Sequence, residues 1–106
     1  MIIVNVAKDF TRFPAGRYKR NGDTSGEAFR ERFLENPLRQ GEDIVIELDG
    51  TVGYGSSFLE EAFGGVVRAL HLPAGEVLKH LKIESTDPSL KQEVTDYILD
   101  AERSLR

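Results

Sequence analysis

The chain has 106 residues, a length that fits one compact domain, and we treat residues 1–106 as a single domain. It has no Cys, 18 acidic and 14 basic side chains and a net charge of −4, which excludes a disulfide scaffold, thiolate chemistry and a general attraction to nucleic acid. No apolar stretch approaches the roughly 18 residues needed to cross a bilayer. We therefore expect a cytoplasmic domain that binds neither membrane nor nucleic acid.

The charges are divided unevenly along the chain. Residues 1–40 carry 8 basic and 5 acidic side chains, whereas residues 41–106 carry 6 basic and 13 acidic ones. This asymmetry indicates either two faces of opposite charge or ion pairs that join the two halves across the fold. We favour the second interpretation.

The first elements in chain order are a strand, a loop and a helix. The β-branched run at 2–6 predicts a buried strand. A loop with several glycines follows, and within it residues 17–19 are predicted to form a short strand paired back on the first. A helix then begins at Thr24 or Ser25 and ends or steps at Asn36–Pro37, because proline lacks a backbone donor.

The second half continues the alternation of strand and helix. Residues 43–49 predict a mostly buried strand, and a glycine-rich turn leads to a helix that begins near the serines at 56 and 57. Gly64 and Gly65 within this helix indicate close packing against another element. A short helix at 76–81, a short strand at 81–84 and a final helix capped by Asp87 complete the chain. The order β-(β)-α-β-α-β-α predicts an α/β fold with a partly parallel sheet and amphipathic helices.

Ser56 and Ser57 open the helix that follows the glycine-rich turn. One hydroxyl is either the N-cap or a phosphate acceptor, since the N–H groups and dipole of a helix start favour negative charge. A phosphate there would add about two negative charges close to Asp49, Glu60 and Glu61. The same helix start, with help from Arg17 or Arg20, is also an alternative site for a small anion or nucleotide.

Sequence patterns for catalysis or metal binding are absent. The turn has neither the P-loop pattern nor the nucleophile-elbow pattern, and His71 and His80 are the only histidines that could serve as a base. Glu60 and Glu61 are adjacent and therefore point in different directions on a helix. We expect no catalytic residue, no metal and no cofactor. Basic residues in the first loop predict a solvated or ion-paired loop rather than a nucleic-acid site: Arg12, Arg17, Lys19 and Arg20.

The segment from Glu47 to Gly65, with Ser-Ser-Phe-Leu-Glu-Glu-Ala-Phe-Gly-Gly at its centre, resembles the signature of the STAS-like family of bacterial and phage-encoded domains. The upstream Gly16-Arg17-Tyr18 and the run from Ser25 to Arg30 also resemble it, so that the likeness covers roughly residues 3–102. The family is named for its similarity to the sulfate-transporter and anti-sigma-factor-antagonist domain. The resemblance implies a mixed sheet with helices mainly on one face.

In anti-sigma-factor antagonists the corresponding turn carries Asp-Ser-Ser-Gly, and a serine kinase of the histidine-kinase-like ATPase type phosphorylates the first serine, which prevents partner binding. The resemblance places Ser56 at that position and Ser57 at the next, with Gly55 in place of the Asp and Phe58 in place of the Gly. It implies a non-enzymatic regulatory module whose partner is a protein. We predict that the partner-binding or anion-binding surface consists of six residues: Arg17, Tyr54, Gly55, Ser56, Ser57 and Phe58.

Overall fold

The computed structural model describes residues 1–105 and has a three-stranded sheet at its centre. The strands are β1 (Ile2–Asn5), β2 (Ile44–Glu47) and β3 (Leu81–Glu84), in the spatial order β1-β2-β3. Both pairings are parallel, so that each strand connects to the next through helices.

Two of the longer helices are continuous but change pitch within their length. Helix α1 covers residues 26–39 and helix α2 covers residues 56–70, and each contains one π-helical turn, at Arg30–Leu34 and Glu60–Gly64 respectively. The others are α3 (Ala74–His80) and α4 (Pro88–Ala101). Single helical turns lie at Val6–Phe10, Lys19–Asn21 and Glu102–Leu105.

The helices cover one face of the sheet and leave the other open. Alternate strand residues are buried, among them Val4, Ile46 and Ile83. Between them Ile3 and Lys82 are exposed. The expected packing of helices mainly on one face is therefore confirmed.

Residues 17–19 do not form the strand predicted there, and in the described part of the chain the sheet is parallel rather than mixed. The carbonyl groups of Gly16 and Arg17 instead accept hydrogen bonds from the N–H groups of Gly26 and Glu27, each at 3.0 Å. These bonds tie the loop to the start of α1 and satisfy its backbone without the sheet. The observed order is β-α-β-α-α-β-α.

Capping side chains account for the starts of two of the four helices within residues 1–105, α1 and α4. The hydroxyl of Ser25, not that of Thr24, accepts from the N–H of Ala28 at 3.1 Å and caps α1. Asp87 caps α4 as predicted, with Pro88 in the first turn. Helix α1 continues past Pro37 to Arg39, because the wider π-helical turn before it already interrupts the regular hydrogen-bond ladder.

The contact between α1 and α2 forms the aromatic centre of the core. The ring of Phe29 lies 6.0 Å from that of Phe58 and 6.1 Å from that of Phe63, and all three are fully buried. At Gly26 the two helices approach so closely that an added Cβ would lie 2.4 Å from the carbonyl oxygen of Phe58. Backbone atoms cannot move aside as a flexible side chain can, so the contact requires glycine.

We predict that Gly26→Ala lowers the free energy of unfolding by about 1–3 kcal/mol, because the new methyl group must push α1 away from α2. Gly75→Ala is the matched control, since Gly75 lies in α3 and a Cβ there meets nothing within 4 Å. It should raise stability by about 0.5–1 kcal/mol through helix propensity. Urea unfolding followed by circular dichroism measures both changes, and equal stability of Gly26→Ala and wild type would contradict the close approach.

Candidate functional site

The turn between β2 and α2 is held closed by a tyrosine. Gly50 and Gly53 have φ angles of 105° and 137°, which favour glycine. The hydroxyl of Tyr54 donates to the carbonyl oxygen of Leu48 at 2.6 Å, and burial raises the pKa of Tyr54 to about 12. The turn therefore has a defined shape where it meets the start of α2.

Ser56 and Ser57 occupy the first two positions of α2, and both are exposed. Gly55 is the N-cap residue, and among residues 1–105 no side chain accepts a hydrogen bond from the first turn. The interpretation that a serine caps this helix is therefore wrong. The first N–H groups of the helix lack a capping oxygen, and the hydroxyls have no capping role.

Tyr54 and Phe58 lie on the buried side of this helix start. Phe58 is fully buried, and its ring lies 5.9 Å from the half-buried ring of Tyr54. Phe58 therefore belongs to the core and not to the exposed surface predicted for it. We call the remaining group, which consists of Tyr54, Gly55, Ser56 and Ser57, the serine surface.

Arg17 is engaged by carboxylates rather than free to receive an anion. Its Nη1 lies 2.6 Å from Oε1 of Glu60 and 3.4 Å from Oε1 of Glu61. Arg68 approaches Glu60 from within α2, with Nη1 donating to Oε2 at 2.7 Å. Hydrogen bonds from Arg68 and then from Arg17 lower the pKa of Glu60 below its ordinary value of 4.5.

A second ion pair joins α1 to α2 and is more deeply buried than the pair of Arg17 and Glu60. Arg30 and Glu61 are only 8% and 7% exposed, and Nη1 of Arg30 donates to Oε2 of Glu61. Nε of Arg30 donates to Glu35 at 2.8 Å. An added Cβ at Gly65 would lie 2.6 Å from Nη1 of Arg30, so this glycine makes room for the guanidinium group.

The ion pairs confirm that charges join the two halves of the chain. Arg17 and Arg30 from the basic half bind Glu60 and Glu61 from the acidic half. The predicted close packing at Gly64 and Gly65 is also confirmed, since a Cβ at Gly64 would lie 3.1 Å from the carbonyl oxygen of Tyr97.

Sequence reasoning did not identify Arg30 or Arg68 as partners of these carboxylates. Arg68 follows Glu61 by seven residues, which places both on one face of α2, so helical spacing could have found it. Arg30 lies on another helix, and no local pattern joins it to Glu61.

Two other kinds of feature are absent from residues 1–105. This range contains no group of three or more His, Cys, Asp or Glu side chains that could hold a metal ion. None of its helices combines the length and the apolar character that crossing a membrane requires.

The fold defines an α/β domain in which helices cover one face of a small parallel sheet. Residues 25–91 match the family model described as a STAS-like domain of unknown function (DUF4325), and the chain belongs to this family. The matched range begins at the cap of α1 and includes the serine surface and the ion pair of Arg30 with Glu61, whereas Arg17 lies before it. No curated protein and no solved structure matches the chain.

The lowered pKa of Glu60 predicts a pH dependence of stability. Because the folded state binds this proton more weakly than the unfolded state, the contribution of Glu60 is present above about pH 4.5 and is lost as the pH falls through the lower folded pKa. Glu60→Gln should therefore flatten the decline of unfolding free energy between about pH 5 and pH 3. Urea midpoints across this range measure the slope.

Glu42→Gln is the control, because Glu42 is exposed and makes no ion pair within the described residues. It should leave the acid slope of the wild type unchanged. If the unfolding free energy of Glu60→Gln declined with falling pH as steeply as that of the wild type, the acid sensitivity would not come from the ion pairs of Glu60 with Arg17 and Arg68.

Proposed function

We propose that this STAS-like domain is a regulatory protein-interaction module, not an enzyme, and that it docks a protein partner through the serine surface. The observation that carries the proposal is the exposure of two adjacent hydroxyls at the start of α2, where neither caps the helix. The two carboxylates that follow the serines in α2 are held by arginines, Glu60 by Arg17 and Arg68 and Glu61 by Arg30. The surface is therefore suited to recognition.

Phosphorylation of Ser56 is the regulation that we propose for this surface. A phosphate at the first turn of α2 would be favoured by the uncapped N–H groups and by the helix dipole. Glu60 lies one turn further along the helix, but its charge is compensated by two arginines. The added negative charge would thus be tolerated by the fold and would act mainly on a docked partner.

The partner that the family resemblance supports is a serine kinase of the histidine-kinase-like ATPase type. Such a kinase would bind the unmodified serine surface and transfer the γ-phosphoryl group of ATP to the Ser56 hydroxyl, releasing ADP and a proton. Release of the modified domain would follow from the charge placed within the interface. A cytoplasmic setting, with ATP available, suits this proposal.

Ser56→Asp tests the switch, because it places a negative charge at the first turn without a kinase. The wild-type domain and Ser56→Ala should capture the same partner from a lysate of the source cells, whereas Ser56→Asp should retain it at least about tenfold more weakly. Quantitative mass spectrometry of the captured protein provides the measurement.

Ser89→Asp is the matched control. Ser89 is an exposed serine in the first turn of α4, so this variant adds the same charge at a similar helical position on another surface. It should capture the partner as the wild type does. If Ser56→Asp captured as much partner as the wild type, the switch would be refuted. If Ser56→Asp and Ser89→Asp lost the partner equally, the assignment of the interface to the serine surface would be refuted.

A small-anion or nucleotide site at the same helix start is the alternative function. The uncapped first turn of α2 favours it, but Arg17 is already bound to Glu60. The cleft beside the turn, about 330 Å³, also presents the carboxylates of Glu47, Asp49 and Glu84. Thermal melting with phosphate and with ATP distinguishes the two functions, since stabilisation by several degrees would favour the anion site.

A further inference from the structure

A groove of about 420 Å³ lies against β3 and extends from the open face of the sheet to α4. Its walls include Val45 and Lys82 on the strands, Leu78 on α3, and Lys91 and Thr95 on α4. Among the described residues β3 pairs only with β2, so the groove contains the outer edge of the sheet.

The backbone of Ile83 faces this outer edge. The N–H of Leu48 donates to the carbonyl oxygen of Glu84 at 2.9 Å, so the backbone groups of Glu84 point toward β2. Because neighbouring residues of a strand direct these groups to opposite sides, the N–H and C=O of Ile83 point away from β2. They are a donor and an acceptor in position to pair with a further strand.

The opposite edge of the sheet is partly paired with a side chain of the same chain. The N–H of Ile2 donates to Asp43 beside β2, so the N–H of Asn5, three residues later, points away from β2. A carboxylate oxygen of Asp9 accepts this N–H at 2.7 Å. Asp9 thus pairs with one N–H of the β1 edge, that of Asn5, while the N–H and C=O of Ile3 also face away from β2. At the β3 edge no side chain of residues 1–105 accepts the N–H of Ile83, and this edge is the one that lines the groove.

The groove is positively charged in a chain whose net charge is −4. Three lysines line it, Lys79, Lys82 and Lys91, against one carboxylate, that of Asp43. That carboxylate oxygen lies 2.9 Å from Nδ1 of His80. Nζ of Lys82 lies 3.3 Å from Oε1 of Glu84, but both side chains are exposed, so water screens this pair and it contributes little. Lys82 projects on the open face and Lys91 belongs to a helix on the covered face, so a strand added here would meet a lysine on either side.

We propose that the edge of β3 binds an extended acidic segment of a partner protein, which joins the sheet as a fourth strand. Main-chain hydrogen bonds to Ile83 would provide the pairing, as in other cases of strand addition. Lys82 and Lys91 would select acidic side chains, and apolar side chains between them would cover Val45 and Leu78. This surface contains no residue of the serine surface, so the proposal does not depend on the proposed function.

The test uses a fluorescein-labelled peptide of alternating Glu and Val, with fluorescence anisotropy as the measure of binding at low salt. The same peptide with methylated backbone nitrogens cannot donate main-chain hydrogen bonds and should bind at least about tenfold more weakly. A version with Lys in place of Glu should not bind. Bound peptide should slow exchange of the Ile83 amide about tenfold or more in NMR spectra.

Lys82→Glu and Lys91→Glu are the variants, and both residues are exposed, so the fold should persist. Each should weaken peptide binding about fivefold or more. Lys8→Glu is the control, because it makes the same charge change at an exposed site that does not line the groove, and it should bind as the wild type does.

Three results would overturn the proposal. The first is equal binding of the methylated and unmethylated peptides, and the second is equal loss from Lys8→Glu and the groove variants. The third is slow hydrogen exchange of the Ile83 amide in the free protein, which becomes faster when the protein is diluted. Sedimentation would then show a dimer, and the edge would belong to a second copy of the chain.

Discussion

The buried contact between Arg30 and Glu61 is the constraint on which the packing of α1 against α2 depends. Taking two opposite charges out of water costs several kcal/mol for each ion, so such a pair persists only where the geometry is good and further hydrogen bonds complete it. Glu35 supplies the additional acceptor for Arg30, and Gly65 leaves the space that the guanidinium group occupies. The pair therefore specifies one relative position of the two helices rather than adding greatly to stability.

The fixed position of α2 determines what the turn before it can present. Glu60 forms an outer layer over the buried pair, because Arg17 and Arg68 both reach it from the solvent side. Phe58 anchors the first turn in the aromatic core, while the two serines beside it face water. The start of α2 is thus held in place by the residues that follow the serines, Phe58 and Glu60, and this packing leaves the two hydroxyls exposed.

Local patterns predicted most of the elements but not every role within them. Asp87 and Pro88 defined the start of α4, because a cap and its first turn depend on neighbouring residues only. The strand expected at 17–19 failed, because the loop backbone pairs with the start of α1, a contact that no periodicity encodes. For Phe58, helical spacing indicated the core although the predicted binding surface also included this residue, and the observed burial follows the spacing.

The partner of Arg30 could not be predicted, since it lies on another helix and depends on how the two helices cross. The edges of the sheet show the same limit. A parallel sheet of three strands has two outer edges, and either could accept another strand. Asp9 binds the N–H of Asn5 at the first edge, because the π-helical turn at Val6–Phe10 carries it back to that residue. After β3 the chain turns toward Asp49 through Ser85 instead, so no side chain of residues 1–105 accepts the N–H of Ile83 in the groove beside the lysines.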